Sequence, residues 1–309
     1  MKTLHSLSLL CLLASPLFAA EQIDQSLDVG ARVVLDLRVQ RGQVEISPWD
    51  QNKIQVQGTL DELSEGLIFE NQGGRILLED KMPKSYQGKK NKGSDLVIKV
   101  PAKLTLHAES VSADYRVKGL EGDLGFGTVS GDIKASSLGG KVSFNTVSGE
   151  VDATQLAGNI KIETVSGAVK DNSSTSDEAS YKSVSGSIQL NNEAQTVRIE
   201  QVSGDTEATL PSARGVQYNA VSGDAELTLK GDVKLSGESV SGDLSVKLLG
   251  DADVRVAING GPGGKIHNGL TNEAPKKPKY GPGSNLDMVL GNGKGVIELS
   301  TLSGTLSVE

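Results

Sequence analysis

Large side chains are scarce in this sequence. Five tyrosines, four phenylalanines and one tryptophan make up its 3% aromatic content over 309 positions, beside 37 glycines. That balance excludes an ordinary globular core built on big residues. The only cysteine, Cys11, lies in an apolar stretch near the start. If that stretch is a removable leader, the mature chain can be no disulfide scaffold, thiol enzyme or sulfur-ligated zinc protein. Beyond the leader the histidines are His107, in an expected strand, and His267, in an expected loop; both read as surface or edge residues, not as members of a Ser-His-Asp site, and they stand too far apart in sequence to suggest a metal cluster. Long apolar runs are also missing. Nothing after residue 20 approaches the roughly eighteen residues that a membrane-spanning helix needs, so no transmembrane span is expected in the mature chain. A net charge of -8 lacks the clustered cations of non-specific nucleic-acid binding, so nucleic acid is not an expected partner.

Residues 1–20, MKTLHSLSLLCLLASPLFAA, place Lys2 before an apolar run and end on small residues. This is the layout of a secretory signal peptide, with a cut expected after Ala19 or Ala20. Leu10 stands where a lipoprotein signal needs a small residue before its cysteine, so lipid anchoring is not expected. Export through the inner membrane follows, with a periplasmic address and the cell surface or extracellular space as alternatives.

What is abundant is a repeat. The triplet Val-Ser-Gly begins at Val129, Val147, Val165, Val184, Val202, Val221 and Val240, in steps of 18, 18, 19, 18, 19 and 19 residues. A degenerate copy starts at Val111, and Leu302-Ser303-Gly304 stands near the C-terminus. Periodicity of this length signals a repeat architecture. A second triplet at Leu120, Leu138 and Leu156 falls midway, and each half continues with apolar residues in alternation, such as Leu124 and Phe126 or Ile133 and Ala135. Period-two alternation bounded by glycine predicts short strands with one buried face.

Two strands per 18–19 residues predict an all-β, single-stranded β-solenoid with VSG at one corner of each coil, its valine pointing inward. The glycine is expected to supply a backbone conformation that a Cβ would penalise. Phe126 and Phe144 on one row and Ala135 and Ala153 on the other suggest large facing small. An antiparallel meander with glycine hairpins is the competing fold. The alternation of two corner types favours the solenoid.

Residues 21–118 lack clean repeats but read as strands, a β-rich N-terminal region capping the solenoid. The regular VSG array covers 119–258, an irregular Gly/Pro/Lys loop 259–285, and closing strands 286–309. Asp171 to Asp177 reads as a bulged loop, and the LSG copy is expected to close the stack.

The serial TVSG[DE][VI]xA pattern at Thr128 to Ala135 and Thr146 to Ala153, with GQVEISPWDQNKIQVQG from Gly42 and the terminal TLSGTLSV, resembles the bacterial "putative adhesin" family of β-strand-repeat proteins, a domain of unknown function. The resemblance covers nearly all of the mature chain. It implies the fold and brings no catalytic residues.

The acids after the VSG glycine, Asp132, Glu150, Asp205, Asp224 and Asp243, would stack into a column. The calcium-binding β-roll needs GGxGxDxUx in every turn, and Ala168 and Ser187 interrupt the column here, so these acids read as turn caps or solvated groups. A pectate-lyase-type β-helix would need an Arg or Lys base among its acids, and no arginine falls in register. GNGKG at Gly291 to Gly295 lacks the spacing and helix of a phosphate loop. Two lysine groups stand out, Lys81, Lys84, Lys89, Lys90 and Lys92, and then Lys276, Lys277 and Lys279. They read either as solvated loops or as contacts for an anionic polymer. No catalytic, cofactor or metal residue is expected. The expected role is a non-enzymatic interaction or structural scaffold of the cell envelope, with an unidentified envelope protein or anionic polymer as partner. A surface adhesin and a polysaccharide-active enzyme are the alternatives.

Overall fold

A computed structural model of the chain describes residues 21–84 and 92–309. These form strands and turns without a helix, and none is long and apolar enough to cross a membrane as a helix. Seven strands precede the regular array: β1 (Gln22–Asp28), β2 (Val34–Trp49), β3 (Lys53–Thr59), β4 (Leu67–Gln72), β5 (Arg75–Asp80), β6 (Ser94–Pro101) and β7 (Lys103–Lys118). The array supplies β8 (Glu121–Thr128), β9 (Ile133–Ser136), β10 (Gly139–Thr146), β11 (Val151–Thr154), β12 (Ala157–Thr164), β13 (Val169–Asn172) and β14 (Thr175–Ser183). It continues through β15 (Ile188–Asn191), β16 (Thr196–Gln201), β17 (Thr206–Leu210), β18 (Gly215–Ala220), β19 (Ala225–Lys230), β20 (Lys234–Ser239) and β21 (Leu244–Leu249). The last three are β22 (Val254–Asn268), β23 (Ser284–Val289) and β24 (Gly295–Val308).

Pairing within the array is parallel and skips one strand each time, β8 with β10 and β10 with β12 on one wall, β9 with β11 and β11 with β13 on the other. A meander would pair consecutive strands antiparallel, so the competing fold is excluded. Register places Phe144 opposite Phe126 on one side and Ile162 on the other, which stacks like residues through the molecule. β2 and β7 are long enough to serve both walls and already stack in register, Leu37 on Ala108 and Val44 on Tyr115. Antiparallel β1, β3 and β4 lie outside them.

The far end differs from the expectation. The terminal copy does not close the stack: β24 sits between β20 and β22, and β23 lies antiparallel on β22 as the edge. β22 also runs to Asn268, so the irregular stretch lies between Asn268 and Ser284.

The VSG valines point outward, contrary to the sequence expectation. Leu124, Phe126 and Thr128 are buried in alternation along β8, which turns Val129 to solvent. The corner then absorbs a phase change: Ser130 is also outward, Gly131 is buried, and Ile133 resumes the inward series. The inward slot belongs to the threonine, whose Oγ1 accepts the glycine N–H three residues on, at 3.0, 2.9 and 2.9 Å for Thr128, Thr146 and Thr164. The glycines are required for space more than for conformation. A Cβ on Gly149 or Gly167 would stand 1.8 Å from the preceding repeat's glycine carbonyl oxygen. Positive φ enters from Gly204 (φ 110), where Gln201 has replaced the threonine and no hydroxyl caps the turn.

Between the walls lies one continuous apolar core. Phe126 and Phe144 stack at 5.6 Å between ring centroids, and Tyr115 meets Phe126 edge-on at 5.7 Å. The polar stretch from Asp171 carries the expected bulge, one extra residue where β14 leaves register with β12 after Ala157, but only Ser173 and Ser174 leave the strands, at the corner between β13 and β14. Asp171 points inward and is fully buried. Ser174 and Tyr181 donate their hydroxyls to it and Asn192 its amide, so every member of this interior polar group is bonded. Burial raises the Asp171 pKa above the usual carboxylate value, the hydrogen bonds opposing it.

Candidate interaction surface

Because strands repeat in register, each outward position becomes a ladder. The corner valines form one: Val111, Val129, Val147, Val165, Val184, Val202, Val221 and Val240, followed by Leu302, are each 42–58% exposed. Serine N–H groups tie each rung to the valine carbonyl before it, at 2.8 Å for Ser148, Ser166 and Ser185. Eight steps of about 4.8 Å make an apolar stripe about 38 Å long. Single exposed apolar residues mean little, whereas a contiguous row of nine is a candidate for recognition. A shallow groove of about 370 Å³ runs beside Val184, Val202 and Val221. The sequence carried the signal: extending the Leu124 and Phe126 alternation by two positions lands on Thr128, not Val129.

The acid column is built as a hydrogen-bond ladder. Asp132 N–H donates to Asp114 Oδ1, Glu150 N–H to Asp132, Asp243 N–H to Asp224 and Thr305 N–H to Asp243, at 2.7–2.9 Å. Each such carboxylate spends an oxygen on the next repeat's backbone. Among the described residues no group of acids, histidines and cysteines is arranged to hold a metal. The GNGKG turn is clamped in a related way, Asp253 Oδ1 accepting the N–H of Asn292 at 2.7 Å and of Lys294 at 3.3 Å. Burial opposes but these bonds prevail, lowering the Asp253 pKa. His107 and His267 are exposed on β7 and β22.

The lysines do not make one patch. Lys81 pairs with Glu65 at 2.8 Å, and Lys84 and Lys92 are exposed. Lys89 and Lys90 lie outside the described residues. Lys276, Lys277 and Lys279 are exposed in the stretch before β23, where the Lys276 backbone bridges Asn285. From β5, which leads into the first group, to β23 beside the second, the pairings run through β2, β7, β8, the even strands to β20, β24 and β22. At about 4.8 Å per step this is about 58 Å.

The Toastrack DUF4097 model matches residues 34–269, three quarters of the chain. The protein belongs to the Toastrack DUF4097 family. Among solved structures this family member resembles a "putative lipid binding protein" from Parabacteroides distasonis, at 17% identity and TM-score 0.45 over 74% of this chain and 97% of that one. It also resembles "putative adhesins" from Bacteroides fragilis, at 15% identity and TM-score 0.37 over 94% and 98%, and from Parabacteroides merdae, at 12% and 0.36 over 94% and 95%. No curated protein matches it.

Proposed function

We propose that this Toastrack protein is a non-enzymatic, exported β-solenoid of 18–19-residue coils, capped by its N-terminal β-rich region, that serves as an interaction or structural scaffold in the bacterial cell envelope. The valine ladder carries the reading. An in-register stack repeats any outward side chain along its length, and here it repeats an apolar one, which solubility alone disfavours. The use of the acid column's oxygens on backbone N–H groups favours a scaffold over a calcium-assisted polysaccharide enzyme, and the leader-like residues 1–20 favour export. A cell-surface adhesin is the alternative that the same ladder and the family resemblance support.

Fractionation of native cells, followed by crosslinking and mass spectrometry in the compartment that holds the chain, tests the proposal. Soluble periplasmic recovery with discrete envelope proteins crosslinked to it supports the scaffold. Recovery on the outer surface, open to added protease, moves the adhesin into its place, and cytoplasmic recovery with an intact leader overturns both.

A further inference from the structure

A cleft of about 820 Å³ lies at the C-terminal end, beneath Pro262 and the segment around Pro278 and Pro282. Its floor is a row of side chains aligned by strand register: Asn219 pairs with Glu238, Glu238 with Ser300, Ser300 with Asn259, and Asn259 with Asn285. Four steps of about 4.8 Å give a row about 19 Å long, longer than a monosaccharide or a single amino-acid side chain would fill. The row exists because β24 inserts between β20 and β22, bringing together residues far apart in sequence.

The same row continues into the array as Glu200, Lys182 and Glu163, and there it satisfies itself: Lys182 bonds Glu200 at 2.8 Å. Within the cleft the chemistry changes. None of Asn219, Glu238, Ser300, Asn259 and Asn285 spends its side chain on a partner within the described protein, so three amides, a carboxylate and a hydroxyl face the opening with donors and acceptors interleaved. The row's apolar border is the end of the ladder, Val240 and Leu302, which line the cleft beside it.

The roof is fixed against this floor. The Lys276 backbone and the Asn285 backbone bond each other in both directions at 2.8 and 2.9 Å. Gly283 (φ 111) approaches Gly260 so closely that a Cβ would meet its carbonyl oxygen at 2.7 Å. Between Pro278 and Pro282 stands Tyr280, 82% exposed, with the Lys279 ammonium 5.3 Å from its ring centroid. Lys276 and Lys277 are exposed in the same segment, just before Pro278. A row of unspent amides suits a ligand rich in hydroxyls, each both donor and acceptor. Prolines, a valine edge and an exposed tyrosine suit the apolar faces of sugar rings. Three exposed lysines in the segment that carries Pro278, beside a row with one carboxylate, favour anionic substituents.

We propose that this cleft binds an acidic oligosaccharide, its hydroxyls held by the Asn219 to Asn285 row and its anionic groups by Lys276, Lys277 and Lys279. The proposal deepens the scaffold reading by naming the partner class at one site, and its test on purified protein is independent of where the protein resides in the cell.

Calorimetric titration of the full chain with tetragalacturonate and hyaluronan hexasaccharide as acidic probes, and cellotetraose and chitotetraose as neutral ones, reads it directly. Saturable binding of at least one acidic probe is expected, weakened at least about tenfold by Asn219→Ala with Asn259→Ala. Lys276→Ala with Lys277→Ala and Lys279→Ala should weaken it and flatten its salt dependence. Tyr280→Ala, in an exposed segment outside the strands, gives a second variant whose folding is not at issue and is expected to lose affinity as well. No saturation by any of the four probes overturns the proposal. So does binding indifferent to all of these variants, and tighter binding of the neutral probes overturns its acidic character.

Discussion

Substitution of a corner glycine tests the stacking most severely. In Gly167→Ala the new Cβ would lie 1.8 Å from the Gly149 carbonyl oxygen, 2.7 Å from its carbon and 3.1 Å from Thr164 Oγ1. The nearest of these must retreat by about 1.6 Å to reach the 3.4 Å of ordinary contact, and it is backbone inside a ladder, with no rotamer to change. Next to it, Ser166 N–H holds the Val147 carbonyl at 2.8 Å, so the repeats cannot part there without breaking bonds on both sides. Overpacking of this kind costs about 3 kcal/mol, and losing the Gly167 N–H bond to Thr164 adds about 1 kcal/mol. Urea unfolding followed by far-ultraviolet circular dichroism should show the midpoint falling by about 1.3 M, taking a slope of about 3 kcal/mol/M. Gly30→Ala is the internal control, because nothing stands within 4 Å of its Cβ position; its stability should stay within about 0.5 kcal/mol of wild type, a midpoint shift of about 0.2 M at most. Equal midpoints for the two variants would refute the close stacking of the corners.

Asp171→Asn should change the pH dependence of stability. Burial raises the Asp171 pKa above 3.8, so the folded state holds that proton more tightly than the unfolded one, and wild type loses stability as pH rises from about 4 through the raised value. Thermal melts should show the variant gaining on wild type across that window; a difference independent of pH would contradict a buried, titrating Asp171. Asp224→Ala removes the acceptor of the Asp243 N–H and should cost about 1 kcal/mol in the same urea assay. Added calcium or a chelator should leave the wild-type melting temperature unchanged, whereas a calcium-dependent rise would restore a metal role to the acid column. Gly237→Ala should be milder than Gly167→Ala, about 1 kcal/mol, because its Cβ would meet only the Cδ2 atoms of Leu299 and Leu244, at 2.8 and 2.9 Å.

The repeat made much of this architecture readable in advance. Period and strand length follow from VSG spacing and two-residue alternation, both local in sequence. The phase at the corner did not follow, because Val129 is apolar and Thr128 is not, while backbone geometry gives the interior to the threonine for its hydroxyl. β7 kept a degenerate marker from Val111, whereas β2 hid its place in the stack because Gln40 stands where the marker valine would be. Two different demands also share one letter: Gly149 and Gly167 are glycine for want of space, Gly223 and Gly242 for positive φ as well. The cleft row was invisible for a topological reason. Asn219, Glu238, Asn259, Asn285 and Ser300 become neighbours only because β24 returns between β20 and β22, and no local pattern encodes an insertion of that kind. The lysines were easy to see as clusters, yet charge in a loop says nothing of what the loop overhangs.

The central claim is that the corner valines form an outward ladder on stacked repeats. With Cys11 replaced by serine, single cysteines at positions 164, 165 and 167 can be compared for their rate of alkylation in the native protein. Val165→Cys should react at a rate near that of the unfolded chain, and Thr164→Cys should be protected by at least about a hundredfold, the buried site reacting only through local opening. Gly167→Cys should fold poorly, for the reason that Gly167→Ala does. Fast reaction at 164 with protection at 165 would put the valine inside and contradict the account.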